Sequence, residues 1–308
     1  MPKIINYPHL ANQVFGVPHY ATRQTLDAVK AVIIPRMLSD SLSLSDLDNI
    51  NLSTKPEATK VTSNANPVKV IPIHGLLTTR RGSINAACTE LVSYERLRND
   101  INQALSDDSI KEIVLDINSG GGSATGCKEL ADFIYQSRDI KPITAIVNFY
   151  AFSAAYFIAA ACSKIVLSQT SGVGSIGVIW EHMEASKLEE NAGLKFTTIY
   201  RGDFKNAGSM HEPLSENALT EINAQLDWMY NLFTQSVAQY RNIDIQKIID
   251  TQARCFFGAD AISAGLADEV QNPQDAINAI ASTYQQQTQS NQRNIKIRAQ
   301  AINQTARI

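Results

Sequence analysis

The chain of 308 residues has only four cysteines, Cys88, Cys127, Cys162 and Cys255, and no two form a Cys-x-x-Cys pair. That argues against a zinc site, and the scatter suits reduced thiols better than a disulfide framework. Charge of one sign is also lacking. With 27 basic and 30 acidic residues the formal net charge is −3, so bulk charge gives no reason to expect nucleic-acid binding. The apolar run Phe149–Cys162 has 14 residues, too few to cross a bilayer and suited to a buried core helix. The N-terminal MPKIINYPHLANQVFGVPHY has no apolar core of a signal peptide, and no membrane span is expected elsewhere. A soluble, intracellular protein is the expectation. What is present is 44% hydrophobic residues against 19% charged, enough for a sizeable core in one large domain or two small ones.

Taken in order, the chain divides into three parts. Residues 1–60 read as an N-terminal helical arm and linker. Ala21–Leu38 carries Leu26, Val29, Val32 and Ile33 at helical spacing, with Thr22 or Thr25 as a cap. Pro35 ends or kinks that helix. Ser39–Asn66, rich in Ser, Thr, Asn and Asp, reads as a loop. Residues 61–272 then alternate strand and helix. Strands are predicted at Val68–His74, Glu112–Ile117, Ile143–Val147, Lys164–Leu167, Val178–Ile179 and Lys195–Tyr200. Helices are predicted at Ser93–Leu105, Ala124–Gln136, the serine-opened run after Phe149, Pro213–Tyr240 and Ala259–Gly265. Such alternation means an α/β domain with a mainly parallel sheet flanked by helices. Residues 273–308 are polar and Gln-rich and are expected to form a disordered or weakly helical tail.

Two places could carry chemistry. Asn118-Ser119-Gly120-Gly121-Gly122 follows the strand Glu112–Ile117, and ligands of open α/β sheets bind at such carboxyl ends. Glycines let the backbone turn sharply and leave N–H groups free to face a ligand. The GxxxxGK[ST] spacing of a phosphate loop is absent. The second place is Ser153, the serine that opens the apolar run. It is either a helix N-cap or a nucleophile held at a helix N-terminus. A nucleophilic serine needs a base. His182, in an expected exposed helix or loop, and Lys205, between two glycines after a strand, are the downstream candidates. A lysine would have to be neutral, hence desolvated, to serve.

The segment AFSAAYFIAAACSKIVLSQTSGVGSIGV, residues 151–178, closely resembles the catalytic segment of the signal peptide peptidase A (protease IV) family of serine peptidases. Three further stretches resemble the family in the same order: the Asn118–Gly122 turn, Gly202–Lys205, and FGADAISAGLADEV at 257–270. The similarity covers roughly residues 61–272. VSYERLRNDINQALSDDSIKEIVLDI and DTQARCFFGADAISAGLADEV look most like the phage head-maturation proteases of the family, of the capsid-protein-C type. The resemblance implies a ClpP/crotonase-type spiral α/β fold and a Ser–Lys dyad without metal or organic cofactor. Ser153 would be the nucleophile and Lys205, 52 residues on, the base. Ser175 would orient the lysine, and the N–H groups of Gly121 and Ala154 would form the oxyanion hole. It also implies a homo-oligomer with active sites at subunit boundaries. The substrates would be scaffold or head proteins, cut in the cytoplasm of a bacterial host or inside a procapsid.

Two positions depart from the family pattern. Gly120 stands where proline is usual, and Asp203, two residues before Lys205, would favour the charged lysine if it reached the ammonium. The alternatives are a cytoplasmic signal-peptide- or protein-degrading peptidase of the same family, a Ser153–His182 pair resembling ClpP, a crotonase-like acyl-CoA enzyme, and a non-catalytic capsid assembly component.

Overall fold

The computed structural model describes residues 14–38, 67–80, 91–284 and 286. The expected linker Ser39–Asn66, Cys88 and the residues after 286 lie outside them.

Seven strands form the main sheet. β5 (Glu112–Ser119) and β7 (Ile143–Phe152) run parallel at its centre, with β2 (Val68–His74) parallel to β5 at one edge. β8 (Lys164–Leu167) and β9 (Gly172–Gly174) both pair in parallel with β7, at its two ends. β11 (Glu269–Val270) adds in parallel to β8, and β10 (Cys255–Phe257) closes the β9 side antiparallel. A smaller sheet holds β1 (His19–Ala21), β6 (Gly121–Ser123), β3 (Leu77–Thr78) and β4 (Val92–Ser93), in that spatial order.

The central strands are apolar on both sides because both faces are covered. Ile113, Leu115 and Ile117 of β5, with Ala145 and Val147 of β7, face the main core. Val114 and Ile146 point the other way and pack with Val68, Val166 and Ala276. The main-core face is covered by α2 (Tyr94–Ser106), α3 (Cys127–Ser137), α4 (Ala154–Ala160) and the C-terminal half of α6 (Glu216–Arg241). In α2, Tyr94, Leu97, Ile101 and Ala104 are buried at three- and four-residue spacing, and the Ser93 hydroxyl caps the helix by accepting from the Arg96 N–H. The aromatic centre is Phe157 stacked on Phe233 at 4.4 Å, with Tyr20 against Phe233 at 4.8 Å. Burying rings of this size stabilises the fold by roughly 1.5–3 kcal/mol each.

The N-terminal arm is thus partly core. Its helix α1 (Arg23–Leu38) starts at Thr22, whose hydroxyl accepts from the Thr25 N–H, and Pro35 is accommodated inside it. Tyr20 and Leu26 are buried, and the Tyr20 hydroxyl donates to the Met229 carbonyl at 2.8 Å.

Two expectations differ from the structure. Lys195–Tyr200 forms no strand; it is exposed, with no strand among the described residues pairing with it. Of Val178–Ile179, only Ile179 bridges, and to His19. In the tail expected to be disordered or weakly helical, residues 273–284 form a helix. Ala276 seals the second face of the sheet, and the Tyr284 hydroxyl donates to Glu112 at 3.0 Å. Sequence polarity hid this helix because its apolar stripe is only Ala276, Ile277, Ile280, Ala281 and Tyr284.

Phe233→Ala leaves a cavity under Phe157 and Tyr20. It is expected to lower the unfolding free energy by about 3–5 kcal/mol, measured by denaturant titration.

Candidate active site

β7 leads into the site through an irregularity. Its register with β5 shifts between the Ile117–Val147 and Ser119–Ala151 pairs, so two extra residues are looped out on the β7 side. Phe149 takes φ 100°, and Phe149 and Tyr150 face solvent. The strand then ends at Phe152 and α4 begins at Ala154, with Ser153 between them at φ 55° and ψ −117°. A non-glycine residue held at positive φ between a strand and a helix is backbone strain of the kind concentrated at functional sites. Neighbours hold it there. The Ser153 N–H donates to the Gly174 carbonyl at 2.8 Å, and its own carbonyl accepts the Phe157 N–H at 2.9 Å.

The N-cap reading of Ser153 fails on this geometry, since its side chain caps no helix N–H. The hydroxyl instead faces the Gly177 carbonyl at 3.5 Å. The glycine-rich turn is therefore shared with the serine. Gly174 sits at φ 111°, where a Cβ would fall 2.6 Å from the Arg254 carbonyl. Ser175, at φ 55°, donates its N–H to that same carbonyl at 3.0 Å.

The two expected oxyanion donors differ. Ala154 is buried at the first turn of α4, and its N–H bonds to no described carbonyl or side chain. The Gly121 N–H donates to the Ser119 hydroxyl at 3.1 Å, while that hydroxyl donates to the Gly75 carbonyl at 2.6 Å. α4 packs against β6, so both donors belong to one corner of the fold.

Lys205 is elsewhere. It lies in the exposed turn 202–208, its N–H bonded to the Gly202 carbonyl at 3.0 Å. Among the described residues its ammonium makes no hydrogen bond or ion pair with Ser153, Ser175 or Asp203. It borders an open cleft of about 450 Å³ with Phe15, His182, Thr198 and His211. His182 is half-buried in irregular chain and stacked beside Trp180, and no bond joins it to Ser153. One chain thus brings together Ser153, Ser175, Gly121 and Ala154, and among the described residues bonds neither candidate base to Ser153.

One neighbour of this corner was not read from the sequence. β1 lies on β6 and Ile179, with the Thr22 N–H bonded to the Gly120 carbonyl at 2.9 Å. Its only sequence signal is a three-residue extended stretch between Pro18 and the Thr22 cap, too short for a period to show. Burial lowers the His19 imidazole below the usual histidine range, against a ring hydrogen bond to the Val14 carbonyl and the nearby Glu181 carboxylate.

Residues 135–287 match the model of peptidase family S49. The head-tail preconnector protein GP5 of Enterobacteria phage P21 is 35% identical over 217 residues, covering 70% of this chain and 43% of that protein. Capsid assembly protease C of Escherichia phage lambda is 30% identical over 286 residues, covering 88% of this chain and 65% of that protein. This chain therefore spans less than two thirds of either relative. Among solved structures, the 1510-N membrane-bound stomatin-specific protease aligns at 17% identity and a TM-score of 0.42, covering 70% of this chain and 85% of that one. With its serine elbow and glycine turn inside or next to the matched span, the chain belongs to peptidase family S49.

Proposed function

We propose that this chain is a serine endopeptidase in which Ser153 is the nucleophile and Lys205 the base. The observation that carries the reading is the elbow at Ser153: a buried, strained serine whose hydroxyl caps nothing, next to the unpaired N–H of Ala154. The Ser153 oxygen attacks the scissile carbonyl while a neutral Lys205 amine takes its proton. The carbonyl oxygen becomes an oxyanion, received by the Ala154 N–H and by the Gly121 N–H once Ser119 releases it. Each such donor contributes on the order of 3–4 kcal/mol. Collapse of the tetrahedral intermediate breaks the C–N bond, and the lysine ammonium returns its proton to the departing amine. Water then attacks the acyl-serine by the same route.

Lys205 is exposed in the single chain. A second copy packed over the turn 202–208 would desolvate it and could present it to Ser153. This supports a homo-oligomer with the dyad assembled between chains. Ser175, one residue from the Gly174 carbonyl that holds Ser153, would orient the lysine. The names of the two phage relatives favour substrates among scaffold or head proteins, within a host cell or an assembling procapsid. The sequence relative described as a putative signal peptide peptidase SppA, from Enterococcus faecium (29% identical over 204 residues, 58% of that protein), keeps a protein-degrading cellular role as the second reading. Among the described residues no helix is long and apolar enough to cross a membrane.

Ser153→Ala and Lys205→Ala are each expected to cut the hydrolysis of fluorescein-labelled casein at least about a thousandfold. Persistent activity in Lys205→Ala would remove the lysine from the mechanism and turn attention to His182.

Mixing the two inactive variants tests the shared site. If the dyad forms between chains, mixed oligomers pair an intact Ser153 with an intact Lys205 and recover activity. A mixture as dead as its components places both residues in one chain.

A further inference from the structure

We propose that His19–Thr22 occupies, in cis, the slot that an extended peptide substrate must enter, so that the N-terminal arm gates Ser153. This rests on the peptidase reading above and adds to it a built-in occupant of the site.

The arm strand is held as an added strand rather than as part of the main sheet. On one side it pairs antiparallel with the glycine turn: His19 opposite Ser123, Tyr20 opposite Gly122, Ala21 opposite Gly121. On the other side His19 exchanges both backbone hydrogen bonds with Ile179, at 2.8 and 2.9 Å. Pairing of this kind is made by main-chain groups and accepts any extended segment, which is how sheet edges recognise peptides. Following the His19–Ile179 register by two residues brings Ala21 toward Gly177. That is the residue whose carbonyl faces the Ser153 hydroxyl. The slot therefore runs past both the nucleophile and the oxyanion turn.

With the arm in place Ser153 is 1% exposed. The Tyr20 carbonyl lies so close over Gly121 that a Cβ there would come within 2.1 Å of it. The Tyr20 side chain fills the space beside Phe157 of α4 and Phe233 of α6.

The arm strand belongs to the smaller sheet, so its departure breaks no strand of the main sheet. Besides the strand pairing and the Tyr20 contacts, its polar anchors are the Thr22 N–H on the Gly120 carbonyl and the Gly16 N–H on the Glu181 carbonyl, both at 2.9 Å, and Arg23 and Lys30 on the Glu181 carboxylate, at 2.6 and 2.9 Å. Partly exposed ion pairs of this type hold weakly.

A reversible lock tests this. Both backbone groups of His19 go to Ile179, so His19 and Ser123 are a non-hydrogen-bonded antiparallel pair, with Cα atoms about 4.5 Å apart. That spacing lies within disulfide range. The variant H19C/S123C is assayed on fluorescein-labelled casein, oxidised and then reduced. The expected result is at least a tenfold lower rate when cross-linked and recovery on reduction. Equal rates in the two states overturn the proposal.

Should neither state cut casein, the peptidase reading has failed, and binding decides the slot by itself. The labelled peptide VFGVPHYATR, residues 14–23, is titrated by fluorescence anisotropy into the same variant carrying Ser153→Ala. Binding at least tenfold tighter after reduction supports the slot, and equal binding overturns it. If the cross-linked protein does not form, Arg23→Ala with Lys30→Ala carries the test. Loosening the arm should raise the casein rate threefold or more, and an unchanged or lower rate overturns the proposal.

Discussion

The backbone hydrogen bond from the Ser153 N–H to the Gly174 carbonyl extends the β7–β9 pairing into the site and joins the two segments from which it is made. It ends β7, fixes the start of α4 and sets the glycine turn beside the serine. Ser153 and Ser175 both sit at positive φ, a conformation that costs on the order of 1–3 kcal/mol and persists only where the surroundings enforce it. Enforcement comes from burial. Every residue of α4 is inaccessible, packed between the sheet and α6. β10 fixes the other side through the Arg254 carbonyl, which receives the Ser175 N–H. The core thus does more than stabilise the fold, because it holds one serine in a conformation that the local sequence would not adopt alone.

The chemistry asked of Lys205 explains why a single chain looks incomplete. An unprotonated amine near neutral pH requires removal from water, and the turn that carries Lys205 is open to solvent. The segment 194–200 leading into that turn has a strand-like sequence and no partner strand among the described residues. The serine half of the site is buried within the described fold, whereas the proposed base lies on an exposed turn.

The arm adds a second layer of control on the same corner. β-pairing is indifferent to side chains and therefore suits both a resident strand and an incoming peptide. Tyr20 gives the resident an advantage, through ring packing with Phe157 and Phe233 and a hydroxyl bond to Met229. Glu181 lies just beyond the glycine turn and binds both Arg23 and Lys30. Arm and turn are thereby read by one carboxylate.

The sequence by itself determined the elements whose signal is local. Apolar runs at 112–117 and 143–147 suit strands covered on both faces, 68–74 suits a strand buried on one, and Leu97 and Ile101 could be buried together on one face of a helix. Ser153, the glycine turns and Lys205 were singled out through a family resemblance, and the structure sets Ser153 at a strand-to-helix elbow beside one glycine turn and Lys205 on an exposed turn. Tertiary structure decided the rest. A three-residue strand such as His19–Ala21 has no period, and its partners lie about a hundred or more residues away in Gly121–Ser123 and Ile179. Helix 273–284 reads as polar because it buries a narrow stripe against a face of the sheet that no local pattern reveals. The segment 195–200 has the residues of a strand but no ladder, since a strand's hydrogen bonds belong to its neighbour and not to its own sequence.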